Sequence, residues 1–422
     1  MINIVLGTGF GDEGKGQAVH SLSHPKALVV RFSGGHQCGH TVTTKTGLRH
    51  IFAQFGAGTF QGSATYISQH CTVFPVAFMN EYRKLQSPDI NLHFDKEHTS
   101  GTGLPIESIE PDTSLTARLT PSLRSNRPVY YVNPLAMLTT PYDLAFNRAL
   151  SMITGYGTCG VGFGTTLQRN DDFYNLYVND IQIPYIFETK MSFIKKYYEE
   201  KIKAMNMSSQ VVYEDELDIA WEGWEESLNF YREFITIKAL GEIISQYDDF
   251  VFEGSQGILL DQHFGFFPHV TRSNTTSQNA IEIINNSVLK NQEINTFYVS
   301  RCYQTRHGNG PFSCSGVEQY PQNESQYDKK PENNILELIN NSLESNREND
   351  WQGVFRIAPL DFSLIRHAVG CDSIYNPNGK KHLILTCLDH LIDMTEFDKN
   401  LEKSGLKNIF TTVLKKKCID WL

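Results

Sequence analysis

Two nearly unbroken apolar runs open the chain, Ile2–Leu6 and Ala27–Phe32, and neither alternates polar with apolar positions. Strands that read this way are buried on both faces, as in a parallel sheet covered by helices, so the opening predicts an α/β fold with a helix crossing over after Lys15. Further strands are predicted at Val129–Val132, Asp249–Glu253, Thr296–Cys302 and His382–Leu388. Helices are predicted near Ala77–Lys84, over Met191–Met205 and Glu225–Tyr247, whose charged faces read as solvated scaffold, and over Ile281–Leu289. Ser87 to Pro128 is rich in Ser, Thr, Pro and acidic residues, and Asn323 to Asp350 in Asn, Glu and Ser; neither carries a period. A chain of 422 residues could hold two or three domains, but large α/β enzymes often build on one sheet. The expectation is a single domain over 1–422 around a mostly parallel central sheet, with excursions near 87–128 and 170–235.

The first strand runs straight into Gly7-Thr8-Gly9-Phe10-Gly11-Asp12-Glu13-Gly14-Lys15-Gly16. Glycine at this density makes a poor helix or strand interior, but it lets a turn tighten and brings N–H groups toward an anion, for which phosphate is the natural guest. Gly9, Gly14 and Lys15 keep the G-x-x-x-x-G-K-[ST] spacing, while Gly16 stands where that pattern places a hydroxyl for Mg²⁺. Asp12 is the nearest replacement, since Mg²⁺ takes hard oxygen ligands. A glycine-rich turn carrying a surface Asp and Lys is the competing reading of this stretch alone.

Val29 to Val42 passes from strand into a turn that sets His36 and His40 among glycines. Together with Gly11–Gly16 it closely resembles the adenylosuccinate synthetase family of purine-biosynthetic ligases. Six further blocks follow in that family's order: Val132-Asn133-Pro134 to Pro141-Tyr142, Gly155 to Gly164, Glu253 to Gly257, Pro268 to Thr276, Thr305-Arg306 to Phe312, and Leu385 to Asp389.

A carboxylate, a lysine and a histidine on glycine-rich turns at strand ends suit phosphoryl transfer, which is mostly positioning and charge stabilisation. Histidine is the side chain whose charge is adjustable near neutrality. Gln256 follows a strand's carboxyl end, where open α/β sheets bind ligands. The resemblance turns these groups into a reaction. It implies that Asp12 takes the N1 proton of a 6-oxopurine nucleotide, that O6 attacks the γ-phosphate of a nucleoside triphosphate with help from His40, and that an amine then displaces the 6-phosphoryl group. It implies L-aspartate as the amine, GTP as donor, and Mg²⁺ held by Asp12 and the Gly39 carbonyl. Donor contacts are expected from Gly11, Glu13, Gly14, Lys15, Gly16, Gly39, His40, Thr41, Arg306 and Asp389. Purine nucleotide contacts are expected from Asp12, Gln37, Thr158, Cys159, Gln256 and Thr271. Arg169 is the candidate for an arginine that reaches across a homodimer interface to the nucleotide's phosphate.

Several positions depart from the family. Gln37 replaces an asparagine, Cys159 a threonine, and Cys387-Leu388-Asp389 a guanine-reading Lys-x-Asp, while the segment after Asp389 is shorter than the tail that adds guanine contacts. Relaxed choice between GTP and ATP is therefore expected. Asp12 itself argues for IMP or dIMP, because phage relatives that aminate a guanine nucleotide carry serine there. Where the family binds aspartate with Thr-Thr-Gly and clustered arginines, this chain has Trp351-Gln352-Gly353-Val354-Phe355-Arg356. Gly353 and Arg356 are the expected amine contacts, with Arg306 or backbone N–H groups for a second carboxylate.

A net charge of −10 excludes a non-specific binder of nucleic acid or anionic membrane, so anionic substrates have to be met by local basic groups. No apolar run of 18 residues and no leader pattern is present, which predicts a cytoplasmic protein. Eight scattered cysteines without C-x-x-C or zinc spacing fit reduced thiols, Cys38 and Cys159 among them as small fillers. Two other classes share part of this pattern: a phosphate-loop kinase, which would use Lys15 but gives no reason for His40, Gln256 and Thr271, and an inactive nucleotide-binding relative, favoured by the altered aspartate loop.

Overall fold

The computed structural model describes residues 1–87, 127–154, 158–313 and 355–417. Its strands in chain order are β1 (Ile2–Gly7), β2 (Ala27–Arg31), β3 (His40–Thr43), β4 (Arg49–Phe52), β5 (Ala64–Ile67), β6 (Thr72–Val73), β7 (Tyr130–Val132), β8 (Met137–Leu138), β9 (Thr236–Ile237), β10 (Asp249–Gly257), β11 (Ile294–Arg301), β12 (Tyr303–His307), β13 (Phe355–Pro359), β14 (Lys380–Thr386) and β15 (Thr412–Lys415). Nine of them form one parallel sheet in the order β15-β14-β11-β1-β10-β2-β5-β7-β9, which bears out the α/β fold class. The apolar first run thus becomes the middle of the sheet, all six residues of β1 being buried.

Both faces of the sheet are covered. On one, Val5, Val29, Val251 and Val299 pack with Ala18 and Val19 of helix α1 (Lys15–Leu22) and with Phe78, Tyr82 and Leu85 of α2 (Pro75–Gln86). On the other, Ile4, Leu6, Leu28, Val30 and Phe252 pack with Ala280 and Ile283 of helix Gln278–Asn285 and with Ile365 and Ala368 of helix Phe362–Asp372. The unbroken apolar strands follow from this: with two cores to serve, every second position has no solvent face to offer.

Two elements differ from the pattern. The helix expected over Glu225–Tyr247 stops at Phe234, and the β-branched Ile235-Thr236-Ile237 run supplies edge strand β9, paired with β7. The helix expected over Met191–Met205 runs Pro184–Lys203 and buries Phe187, Met191, Ile194, Tyr197, Tyr198 and Ile202 in the first core. It is therefore half core, not merely a solvated face. Most of the excursion at 87–128 and all of the Asn-rich stretch at 323–350 lie outside the described residues. No helix among the described residues is long and apolar enough to cross a membrane.

What the fold does for chemistry is to bring the carboxyl ends of β1, β2, β10 and β14 to one rim, where an open parallel sheet binds its ligands. Register carries this: Gly7 at the end of β1 pairs with Gly257 at the end of β10, and Glu253 pairs with Arg31 at the end of β2.

Candidate active site

The glycine-rich turn after β1 wraps around one of its own side chains. Glu13 Oε1 accepts from the N–H groups of Gly9 and Gly11, each at 2.9 Å, and Oε2 lies 2.7 Å from Lys15 Nζ. Lys15 Nζ also donates to the Gly11 carbonyl at 2.8 Å, and its side chain is fully buried. The carboxylate occupies the place that the glycine spacing suggested for phosphate. Room for it comes from glycines around it, since a Cβ at Gly7 would stand 2.4 Å and one at Gly257 2.5 Å from Glu13 oxygens. Lys15 and Glu13 were both expected to contact the donor, yet in this structure each satisfies the other. To touch a triphosphate, Lys15 has to give up a buried partner.

Gly16, the residue that breaks the phosphate-loop pattern, has a steric reason. A Cβ there would come within 2.9 Å of His40 Cβ, the His40 carbonyl carbon and the Thr41 carbonyl oxygen. The first turn of α1 and the start of β3 are in direct contact, so the hydroxyl that the pattern wants would collide with the histidine strand. His40 is buried, and its Nδ1 bonds to Glu253 Oε1, while Glu253 Oε2 accepts from Ala57 N–H at 3.0 Å. Burial pushes His40 below the ordinary histidine value despite the carboxylate beside it. Burial works to raise Glu253, but His40, Arg31 and the Ala57 N–H together take it below the usual carboxylate range. The pair is thus a carboxylate and a neutral imidazole with Nδ1–H donating, which leaves Nε2 as a lone pair, buried and without a hydrogen-bond partner. Glu253 was not among the expected site residues, although it lies three positions before Gln256 in a recognised block.

Asp12 sits at the crest of the loop with about a third of its side chain exposed, Oδ2 standing 3.5 Å from Nε2 of His307, a second residue not foreseen. A partly exposed carboxylate suits Mg²⁺, which keeps several waters and takes one or two carboxylates plus substrate phosphates, and Gly39, the other expected ligand, is exposed. Among the described residues no group of three or more His, Cys, Asp or Glu gathers to hold a metal without substrate. The donor set therefore fits a metal that arrives with a triphosphate.

Gln256, at the end of β10, has φ of 55°, an uncommon left-handed conformation for a side-chain-bearing residue, and its Oε1 is buried without a partner. Gln37 likewise has both amide atoms buried without partners. Gln256 backs onto the phosphate-type loop, its Cα 3.8 Å from where a Cβ at Gly11 would stand, so its unsatisfied amide oxygen is one that a base would complete. His36 stacks on Phe74 with ring centroids 5.0 Å apart, and burial, then Arg148, lowers it to about 4. It is an apolar-facing spacer and stays neutral. Thr158, half-buried, accepts from Gly160 N–H at 3.1 Å and shares a bond with Ser151 Oγ at 2.7 Å, so its hydroxyl braces its own loop. Cys159 is half-buried beside it. Thr271 donates its N–H to the Leu260 carbonyl and is half-buried, and its neighbour Arg272 reaches Asp171 at 2.9 Å in helix Phe163–Asp171. Gly155–Gly157 lie outside the described residues.

The antiparallel pair β12 and β13 places Arg306 directly opposite Arg356. Both are buried; Arg306 stacks over Phe10 of the loop at 4.3 Å and donates to the Pro311 carbonyl, while Arg356 lies over Phe312 and donates to the Gly310 carbonyl at 3.0 Å. Burial, then the charge of Arg356, lowers Arg306 to about 9. Like charges facing each other across a ladder are unfavourable, and an anion between or beside them relieves the repulsion. Gly353 lies outside the described residues.

Arg169 does not stand where it was expected. Its side chain is fully enclosed, with Nε 2.8 Å from Asp143 Oδ1 and Nη2 donating to the Leu138 carbonyl at 2.8 Å. It has no exposed edge with which to reach another subunit's ligand. Asp389, half-buried in the turn after β14, stands next to His390, which bonds to Tyr303.

A family model described as adenylosuccinate synthetase matches residues 4–100 and 121–398. The chain belongs to the adenylosuccinate synthetase family. That family is one of C–N ligases. The chain is 26% identical to the adenylosuccinate synthetase of Buchnera aphidicola subsp. Schizaphis graminum over 93% of its own length and 78% of the relative's. With the Bacteroides fragilis enzyme it is 28% identical over 74% of its length and 64% of the relative's. Among solved structures, the fully ligated adenylosuccinate synthetase of Plasmodium falciparum superposes with a TM-score of 0.62 at 17% identity, covering 92% of this chain and 77% of that one. The succinoaminodeoxyadenylate synthetase PurZ of cyanophage S-2L, described as bound to dGMP with dATP as energy donor, superposes with a TM-score of 0.59 at 12% identity, covering 98% and 91%. At these identities the two superpositions speak for the fold.

Proposed function

We propose that the chain joins L-aspartate to C6 of a 6-oxopurine nucleotide, IMP or dIMP, with hydrolysis of a nucleoside triphosphate, acting as a homodimer in the cytoplasm. Asp12 takes the N1 proton, O6 attacks the γ-phosphorus, and the nucleoside diphosphate leaves. The amine nitrogen then adds to C6 and inorganic phosphate departs, giving the succinylamino nucleotide. The observation that carries this reading is the contact of Gly16 with His40, which packs the start of the histidine strand against the phosphate-type loop where a simple kinase would have a hydroxyl, while the buried Nε2 of that histidine has no hydrogen-bond partner. Negative charge brought by the donor favours a proton on Nε2, and Glu253 on the far side of the ring stabilises the resulting imidazolium. Asp12 and the Gly39 carbonyl would hold Mg²⁺, which when bound neutralises charge on the transferring phosphoryl group. Gln37 and Gln256 supply amides for the purine nucleotide, and Arg306 with Arg356 forms the cationic pole for the amino acid's carboxylates.

Three-component phosphate release tests the reading. Release that requires triphosphate, 6-oxopurine nucleotide and aspartate together supports it; a stable phosphorylated nucleotide formed without amine supports a kinase, and silence with the full set supports a binding module. We expect a higher kcat/KM for IMP or dIMP than for dGMP, because Asp12 leaves less room beside a 2-amino group than a hydroxyl would. A second reading, dGMP as substrate and an adenine nucleotide as donor, is the one the printed ligands of the phage synthetase suggest. Cys387 in place of a guanine-reading lysine favours its donor half. We therefore expect a GTP-to-ATP preference below about 10³-fold, the discrimination that a fully paired polar site can exceed.

Arg356→Ala is expected to raise the KM for aspartate about tenfold or more, the scale of a lost charge-assisted hydrogen bond, with the donor KM within about twofold of wild type. Steady-state titration of each substrate separates the two. An unchanged amine KM would move the carboxylate site away from this pair.

A further inference from the structure

A small cavity of about 30 Å³, lined in part by Thr8, Gly9, Glu13, Arg301, Tyr303 and Gln304, adjoins the catalytic loop, and polar ties help set the position of the loop's crest. Two such ties come from the sheet. Thr386 Oγ1 donates to the Glu13 carbonyl at 2.8 Å, and Arg301 Nε donates to the Asp12 carbonyl. Arg301 is itself held: Nη1 donates to the Tyr303 hydroxyl at 2.9 Å, and the guanidinium lies 5.5 Å from the centre of the Tyr303 ring. Tyr303 is 2% exposed, its ring stacks on His390 at 5.7 Å, and its hydroxyl is 2.7 Å from His390 Nδ1. A guanidinium can only donate, so the hydroxyl accepts from Arg301, and it shares a second hydrogen bond with His390 Nδ1. The chain ends in the turn Leu388–His390, whose preceding residue Cys387 has φ of 60° and whose carbonyl at Cys387 accepts from Cys302 Sγ at 3.0 Å.

We propose that Arg301 is a positioning residue for Asp12, and that Arg301, Tyr303 and His390 form a relay from the turn at Cys387–His390 to the catalytic loop. That this turn meets the donor's base rests on the function proposed above; the mechanical tie to Asp12 does not. A base seated beside Asp389 stiffens His390 and, through Tyr303 and Arg301, the main chain that carries the Asp12 carboxylate. Proton removal from the purine is thereby favoured once the phosphoryl donor is in place.

Tyr303→Phe keeps the ring stacked and removes both hydrogen bonds. In steady-state assays kcat is expected to fall about tenfold with the KM of both nucleotides within about twofold, because a slightly misplaced base slows the chemistry without loosening binding. Arg301→Lys, which keeps the charge but not the paired geometry, is expected to do the same. Hydrogen exchange of the full-length protein without ligand supplies a readout independent of turnover: amides at residues 8–14 exchange several-fold faster in Tyr303→Phe, while those of β1, β10 and β11 keep their protection. Unchanged exchange in the loop overturns the relay. So does a KM increase at constant kcat, which would make Tyr303 a ligand contact, or loss of protection through the whole sheet, which would make it structural. A wild-type protein that releases no phosphate defeats the proposed function, and the exchange comparison still decides the relay.

Discussion

Asp12→Asn and His40→Asn are each expected to lower kcat by about 10²-fold or more in a protein that stays folded, the range lost when a general acid or base is removed. Asp12 is suited to this test because its loop is tied down through main-chain atoms. The carbonyl accepts from Arg301, and an asparagine leaves that bond and the chain direction intact while ending proton acceptance at the side chain. His40→Asn removes the buried, unpartnered ring nitrogen and leaves Glu253 with the Ala57 N–H and the neighbouring Arg31. Some stability goes with it, because a buried carboxylate loses a partner, so melting curves have to accompany the kinetics. Glu253→Gln is the companion measurement: it keeps the shape and a hydrogen-bonding oxygen for the imidazole but removes the charge that stabilises an imidazolium. A fall of about tenfold, smaller than for His40→Asn, is expected if the histidine is protonated during transfer. Single-turnover phosphate release resolves these steps from product dissociation. Near wild-type kcat in folded Asp12→Asn or His40→Asn would remove the pair from the mechanism.

What could be read from the chain and what could not divides along sequence distance. The sheet and the glycine-rich turn were legible, because apolar runs, glycine spacing and a following helix are local signals. The position of Lys15's charge was not legible, since the spacing says which residues share a loop but not that Glu13 satisfies it. Glu253 and His40 lie 213 positions apart, and nothing in either neighbourhood announces that β10 and the start of β3 will set them side by side. Arg306 and Arg356 were chosen separately as carboxylate contacts; that they face each other across one ladder needed β12 and β13 to be seen paired. Gly16 is the clearest gain. As a sequence feature it was a defect in a motif, and in three dimensions it is the clearance that lets His40 approach.

Arg169→Met is expected to lower the unfolding free energy by about 3–5 kcal/mol, the scale for removing one partner of a buried ion pair. Asp143 is the reason. Its carboxylate is fully buried and accepts from Arg169 Nε at 2.8 Å, the Tyr198 hydroxyl at 2.7 Å and the Thr140 hydroxyl at 2.7 Å, so without the guanidinium it is a buried charge with neutral donors only. Arg169 also donates to the carbonyls of Leu138 and Tyr174, joining β8 to the carboxyl end of helix Phe163–Asp171. Asp143→Asn in the same background is expected to restore part of the loss, because the uncompensated charge is then gone; a double-mutant cycle in urea measures that coupling. The competing idea, that Arg169 grips a nucleotide phosphate across a dimer interface, makes the opposite forecast: unchanged stability and a raised nucleotide KM. A side chain with no exposed surface can take that role only by abandoning Asp143, and leaving that carboxylate buried and unpaired would oppose the binding it was meant to provide.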